Sequence, residues 1–102
     1  MKSISVQNLH EQFGHFFLLD VREKWEWDTA HIAGFVHIPL KDIPSRINEL
    51  DPTHSIAVMC HHGARSARAV DFLLQQGFIA VYNVNGGIEA WSREIDPSVP
   101  LY

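Results

Sequence analysis

Residues 55–66, Ser-Ile-Ala-Val-Met-Cys-His-His-Gly-Ala-Arg-Ser, decide the fold, because an apolar strand gives way to a helix within them. Residues 55–59 are uncharged and rich in apolar side chains, which is typical of a short buried strand. Residues 65–76 have the periodicity of a helix, and Gly77 is placed to end it. A loop between a strand and a helix can turn several backbone N–H groups inwards, and the helix adds its positive N-terminal end. We therefore predict an anion-binding loop at this junction.

Cys60, the one cysteine of the chain, is the first residue of this loop. A thiol in such a cradle is expected to be partly or wholly thiolate, because only the charged form gains from the N–H groups. The alternative is a small buried hydrophobe, a role that free cysteine often has. Gly63 allows a tight backbone path, Ser66 puts a hydroxyl in the first helical turn, and Arg65 adds a fixed positive charge. These neighbours favour Cys60 as a nucleophile.

The composition is that of an ordinary globular protein. The 102 residues, of which 46% are hydrophobic and 20% charged, suit one domain over residues 1–102. The net charge of −4 and the lack of a Lys/Arg cluster predict neither a nucleic-acid nor a membrane partner. The apolar runs are too short to span a bilayer, and residues 1–8 lack a signal-peptide core. A single cysteine excludes an internal disulfide, so a reducing cytoplasm is the expected location.

Segments typical of strands and of helices alternate along the chain. The predicted strands lie near Ile4 and at residues 16–21, 36–38, 55–59 and 81–84; the predicted helices lie at residues 5–13, 25–30, 44–50 and 65–76, with a last one from Gly87 through Trp91. This alternation predicts an α/β fold with a parallel sheet and helices on both faces. Ligands of such sheets bind beyond the carboxyl ends of the strands. We expect Cys60, Asp20 with Arg22, and Gly86-Gly87 to share that edge.

The helix after Cys60 has a predicted buried side. Ala67, Val70, Leu73 and Leu74 recur at helical spacing, and polar side chains occupy the opposite side. We therefore expect these four residues to face the sheet.

Four motifs in order resemble those of the rhodanese (thiosulfate sulfurtransferase) superfamily. They are Asp20-Val21-Arg22-Glu23 with Glu26; His31-Ile32-Ala33-Gly34 leading to His37-Ile38-Pro39; Cys60-His61-His62-Gly63-Ala64-Arg65-Ser66; and Asn85-Gly86-Gly87-Ile88 with Trp91. They cover nearly the whole chain, from about Ile4 to Pro100. The resemblance implies a central, mainly parallel five-stranded sheet with helices on both faces. It also implies a single domain of the kind that keeps the active cysteine.

The resemblance implies a thiosulfate sulfurtransferase that forms a persulfide on Cys60. A thiolate attacks the outer sulfur of a donor such as thiosulfate, and a thiophilic acceptor, cyanide or a thiol, later removes that sulfur. The expected partners are these small molecules and a sulfur-relay protein, and no metal or organic cofactor is needed. The loop holds no lysine or arginine between Cys60 and Arg65, where dedicated thiosulfate enzymes often hold a cation, so the physiological donor stays open.

The roles of the other loop residues follow from their chemistry. The backbone N–H groups of the loop are expected to form the cradle, which comprises His61, His62, Gly63, Ala64, Arg65 and Ser66. The Ser66 hydroxyl is expected to donate to the sulfur. Arg65 either binds the donor anion or braces the loop through a carboxylate. His61 and His62 either steer anions when protonated or are merely solvated.

Asp20 and Arg22, which lie outside the loop, belong to a motif of the family. They either have a structural role or, in the case of Arg22, form an outer contact to the substrate.

Three other readings compete with sulfur transfer. A cysteine-dependent phosphatase or arsenate reductase of related fold has a loop one residue longer, with arginine six positions after the cysteine, whereas Arg65 is five after Cys60. A persulfide carrier or binding module without turnover would have the same loop chemistry. A metal site made of Cys60, His61 and His62 has little support, since adjacent ligands do not easily converge on one ion.

Overall fold

The computed structural model describes residues 1–102 and contains a five-stranded, entirely parallel sheet with the strand order β1-β5-β4-β2-β3. The strands are β1 (Lys2–Ile4), β2 (Phe17–Asp20), β3 (Val36–His37), β4 (Ile56–Met59) and β5 (Val81–Val84). The helices are α1 (Val6–Glu11), α2 (Lys24–Thr29), α3 (Ile43–Arg46), α4 (Ala64–Gln75) and α5 (Gly87–Glu94). Short 3-10 turns cover Phe13–His15, Leu40–Asp42 and Ile47–Glu49. The predicted α/β fold is confirmed, and no helix has both the length and the hydropathy to cross a bilayer.

The central strand β4 divides two hydrophobic cores. Ile56 and Val58 belong to the core that contains residues of α3 and α4, whereas Ala57 and Met59 belong to the core that contains residues of α1 and α5. Side chains alternate between the two faces of a strand, so a strand covered on both faces is apolar throughout. This burial explains the continuous apolar run that precedes Cys60.

The buried side of α4 includes the predicted Val70 and Leu73 but not the predicted Ala67 and Leu74. The helix buries Ser66, Ala69, Val70 and Leu73, whereas Ala67 is half-buried and Leu74 is 38% exposed. The cause lies at the start of the helix, where Ser66 turns its hydroxyl towards the Cys60 sulfur. Since successive helical residues are rotated by about 100°, this inward Ser66 fixes which later positions face the sheet.

The N-terminus of α5 lies directly against the cysteine loop. The backbone N–H of Ile88 donates to the Cys60 carbonyl (2.9 Å), and that of Glu89 donates to the His61 carbonyl (3.3 Å). Gly87 has a φ of +60°, and a Cβ there would overlap the carbonyl groups of Cys60 and His61. The approach of helix to loop therefore needs glycine at position 87.

We expect Gly87→Ala to destabilise the fold by about 2–4 kcal/mol, because an overlap with backbone adds to an unfavourable positive φ. Chemical denaturation would measure this loss. The matched control is Gly14→Ala, since Gly14 has no positive φ and its Cβ would meet no heavy atom within 4 Å. Equal stability of the two variants would contradict the packing argument.

Candidate active site around Cys60

The sulfur of Cys60 lies at the carboxyl end of β4 and contacts two hydrogen-bond donors. The cysteine is 1% exposed. The backbone N–H of Gly63 is 3.0 Å from Sγ, and the Ser66 hydroxyl oxygen is 3.2 Å from it. Among the backbone N–H groups expected in the cradle, that of Gly63 is the one that contacts the sulfur in this structure. The expected contact between Ser66 and the sulfur is present.

Asn83 of β5, a residue outside the predicted motifs, contacts both the Ser66 hydroxyl and the Gly63 carbonyl. Its Oδ1 atom is 2.5 Å from the Ser66 hydroxyl oxygen, and its Nδ2 group donates to the Gly63 carbonyl (3.1 Å). The signal that could have identified it is a polar residue within a strand that is otherwise apolar or aromatic. Because Ser66 has one hydroxyl proton, its donation to Cys60 competes with its donation to Asn83.

Arg65 points to Glu26 rather than into the loop. Two hydrogen bonds of 2.5 and 2.9 Å join its guanidinium to the two carboxylate oxygens of Glu26, which is 3% exposed. Burial alone would raise the pKa of Glu26, but the hydrogen bonds from Arg65 and Tyr102 outweigh it and lower this pKa to about 2. The same ion pair raises the pKa of Arg65. Of the two roles expected for Arg65, this geometry matches the bracing role.

Arg22 is 0% exposed, so it does not form an outer contact to substrate. Its guanidinium donates to the Asp20 carboxylate, the carbonyls of Glu26 and Ala30, and the Tyr102 hydroxyl, at 2.7 to 3.3 Å. These bonds occupy every N–H of the group. The structural alternative for Asp20 and Arg22 therefore matches their surroundings.

Tyr102 joins this buried cluster to the exposed part of the loop. Its hydroxyl accepts from Arg22 (2.9 Å) and donates to Glu26 (2.7 Å), and its ring stacks on His61 at 4.1 Å. Burial raises the pKa of Tyr102 to about 12, so the phenol stays protonated. Burial, and after it the neighbouring His62, lower the pKa of His61, which keeps this imidazole neutral near pH 7. A neutral His61 matches a packing role against Tyr102 better than the steering of anions.

One group of side chains near the loop has the composition of a metal site. Nitrogen and oxygen atoms of His61, His62 and Glu89 all lie within 4.8 Å of one another, and His62 Nε2 is 3.2 Å from Glu89 Oε1. Glu89 comes from α5 and adds a ligand that is not adjacent in sequence. Cys60 is outside this group.

Comparisons with known proteins identify the family of this chain. The family model of the rhodanese-like domain matches residues 5–94. The "Rhodanese-like/PpiC domain-containing protein 12, chloroplastic" of Arabidopsis thaliana is 37% identical over 112 residues, which cover 100% of this chain and 38% of that protein. The "Putative sulfur carrier protein YrkF" of Bacillus subtilis (strain 168) is 45% identical over 79 residues, which cover 78% of this chain and 43% of that protein.

The fold has close relatives among solved structures. The crystal structure of a rhodanese-related protein from Thermoplasma volcanium has a TM-score of 0.89 and 37% sequence identity, with 100% of both chains covered. This chain spans less than half of the length of the two curated relatives. The matched residues include the whole cysteine loop and all strands except β1. This chain belongs to the rhodanese-like family.

Proposed function

We propose that this chain is a sulfurtransferase that moves a sulfane sulfur from a donor such as thiosulfate to a thiophilic acceptor through a persulfide on Cys60. The observation that carries the proposal is the pair of donors, the Gly63 N–H and the Ser66 hydroxyl, that converge on the Cys60 sulfur. Donors fixed around a sulfur stabilise its negative charge without reorganisation, and charge on sulfur is what both steps of the reaction require.

The reaction is a double displacement on one sulfur atom. In the first step the Cys60 thiolate attacks the outer sulfur of thiosulfate, a new S–S bond forms, and sulfite leaves with the electron pair of the broken bond. In the second step cyanide or a thiolate attacks the outer sulfur of the persulfide, and the Cys60 thiolate leaves. Atoms and electrons balance without an external oxidant or reductant, so the enzyme returns to its starting state.

A persulfide carrier without turnover is the second candidate function. The observation that favours it is the Bacillus subtilis relative, whose name refers to a sulfur carrier. The same donors would hold the persulfide in both cases, and a protein partner would take the place of the small acceptor. The two candidates differ in how fast a small acceptor removes the sulfur.

The phosphatase alternative has less support. A loop that binds phosphate needs its arginine directed at the anion, whereas both ends of the Arg65 guanidinium are bound to Glu26. We propose that Arg65 braces the loop. Arg22, paired with Asp20, supports this brace through the Tyr102 hydroxyl, which accepts from Arg22 and donates to Glu26.

Incubation with thiosulfate is expected to add one sulfur atom to the intact mass of the protein, and cyanide is expected to remove it with release of thiocyanate. Cys60→Ser should gain no sulfur, because its hydroxyl cannot form the persulfide. Intact-mass spectrometry checks both steps. A sulfur gain on Cys60→Ser would overturn the assignment, and a persulfide that cyanide removes only slowly would favour the carrier.

Ser66→Ala is expected to slow persulfide formation from thiosulfate about tenfold, because the loss of a hydrogen bond to the charged sulfur, worth roughly 1.5 kcal/mol, disfavours the reactive thiolate relative to the thiol. The reaction is quenched at successive times, and the intact mass of the protein at each time gives the rate constant of persulfide formation. Ser45→Ala is the matched control, since Ser45 is exposed on α3 and its hydroxyl donates to the Asp42 carbonyl. An unchanged rate in Ser66→Ala would mean that the Ser66 hydroxyl donates its hydrogen bond to Asn83 Oδ1, and not to the sulfur, throughout the reaction.

Glu26→Gln is expected to lower the free energy of unfolding by about 1–3 kcal/mol at pH 7, because the Gln amide cannot replace the ion pair with Arg65. The Glu26 pKa lies below its ordinary value of 4.5, so the carboxylate stabilises the fold above about pH 4.5, and this contribution is lost as the pH falls towards 2. Urea unfolding between pH 7 and pH 3 should therefore show the two proteins converging at acid pH.

The control for this experiment is Glu49→Gln, which breaks an exposed pair with Arg46 (2.7 Å). Its effect should be much smaller, because water already screens the pair. A difference between wild type and Glu26→Gln that stays constant down to pH 3 would contradict the assigned pKa.

A further inference from the structure

The side chains of His61, His62 and Glu89 lie beside the cysteine loop, and the proposed sulfur transfer does not use them. Each carries one possible metal ligand, a ring nitrogen or a carboxylate oxygen, and these three atoms all lie within 4.8 Å of one another. No second group of three histidine, cysteine or acidic side chains in residues 1–102 meets this distance. The cluster is therefore a specific feature of the loop and not a general property of the surface.

His62 and Glu89 already have the spacing of two ligands of one ion. The distance from His62 Nε2 to Glu89 Oε1 is 3.2 Å. Bonds of about 2.1 Å, directed to the corners of a tetrahedron, place neighbouring ligand atoms about 3.4 Å apart. An ion can therefore take the place of the hydrogen bond between these two groups, with the remaining imidazole proton on Nδ1 of His62.

His61 supplies the third ligand, and stacking holds its ring in place. The ring lies 4.1 Å from that of Tyr102 and 3.9 Å from that of His62. A lone pair lies in the plane of its ring, and the two imidazole planes are inclined by 24°, so one ring has to turn before both lone pairs meet one ion. His62 can turn, because its side chain is 60% exposed.

The backbone fixes Glu89 next to the loop. Its N–H donates to the His61 carbonyl (3.3 Å), at the point where Gly87 allows α5 to approach. The two carboxylate oxygens have different neighbours, since Oε1 faces His62 and Oε2 is 3.7 Å from Nε of Arg93. A carboxylate that binds a metal is commonly held by a further partner in this way, which leaves Oε1 for the ion.

We propose that His61, His62 and Glu89 bind one divalent transition-metal ion of the zinc class, which links the cysteine loop to α5. Two imidazoles and a carboxylate are ligands that Zn²⁺ accepts, whereas Mg²⁺ and Ca²⁺ prefer oxygen ligands. Three protein ligands leave one tetrahedral position to water. The site is independent of the proposed sulfur transfer, because neither the Cys60 sulfur nor its two hydrogen-bond donors belong to it.

Isothermal titration of the untagged protein with Zn²⁺ tests the site. We expect one ion to bind per chain. His61→Ala, His62→Ala and Glu89→Gln should each weaken binding about 100-fold, because even the outer partners of metal ligands contribute about 10- to 100-fold. Mg²⁺ should not bind at the same concentrations, since two of the three ligands are nitrogen atoms.

His54→Ala and Glu49→Gln are the matched controls, because both residues are exposed and lie outside the cluster. Both variants should bind Zn²⁺ with the affinity of the wild type. Equal weakening in a control, or wild-type affinity in His62→Ala or Glu89→Gln, would overturn the site.

Cys60→Ser separates this site from zinc bound by the thiol, which is the competing ligand in the loop. The variant should keep the affinity of the wild type, because the cluster does not include Cys60. Loss of binding in Cys60→Ser would assign the ion to the cysteine and overturn the proposed site, while the sulfurtransferase proposal would stand.

Thermal unfolding gives a second readout. Unfolding separates ligands that are 27 positions apart, so an ion that binds only the folded protein stabilises it. Saturating Zn²⁺ should raise the unfolding midpoint of the wild type and of Cys60→Ser, and should leave that of Glu89→Gln unchanged. Without metal, the same measurement checks that each variant is folded. An equal rise in Glu89→Gln would mean that zinc binds elsewhere, which would overturn the site.

Discussion

The buried charge of Arg22 is the constraint on which the arrangement around the site depends. A guanidinium removed from water costs several kcal/mol unless its charge is balanced and each N–H is bound. Here Asp20 balances the charge, and the acceptors come from the end of β2, from α2 and the residue after it, and from Tyr102. Asp20, Glu26 and Ala30 lie within residues 20–30, whereas Tyr102 is 80 positions from Arg22, and the five N–H groups of one side chain fix their relative positions.

The same cluster extends to the cysteine loop. Tyr102 accepts from Arg22 and donates to Glu26, and Glu26 holds Arg65 at the start of α4. On the other side, the first N–H groups of α5 bind the carbonyls of Cys60 and the residue after it. The loop is therefore held from both sides by groups that do not touch the sulfur. Dipoles that are fixed before reaction stabilise charge at little further cost, which is the property that a persulfide site needs.

The parts of the structure that sequence could predict are those set by local pattern. The run before Cys60, the alternation of strands and helices, and the hydroxyl of Ser66 all follow from residues close to one another. Glu26 pairs with Arg65 across 39 positions, and Asn83 reaches Ser66 across 17, so no local pattern contains either partner. The predicted buried side of α4 is correct for Val70 and Leu73 but wrong for Ala67 and Leu74, for the same reason. Apolar periodicity alone predicts a buried Leu74. The contact of Ser66 with the sulfur instead sets the rotation of the helix about its axis and leaves Leu74 exposed.

The single proton of Ser66 suits a site whose charge moves during the reaction. In the free enzyme proposed here the negative charge is on Sγ, and the hydroxyl donates to it. In the persulfide the charge lies mainly on the outer sulfur, about 2 Å away, and Sγ needs a donor less. The hydroxyl can then rotate and donate to Asn83 Oδ1, which is 2.5 Å from the hydroxyl oxygen. Ser66 therefore donates a hydrogen bond both in the free enzyme and in the persulfide. Asn83 meanwhile holds the Gly63 carbonyl, and the backbone donor stays in place as the sulfur arrives and leaves. A hydroxyl between two acceptors thus allows both charge states without movement of the loop.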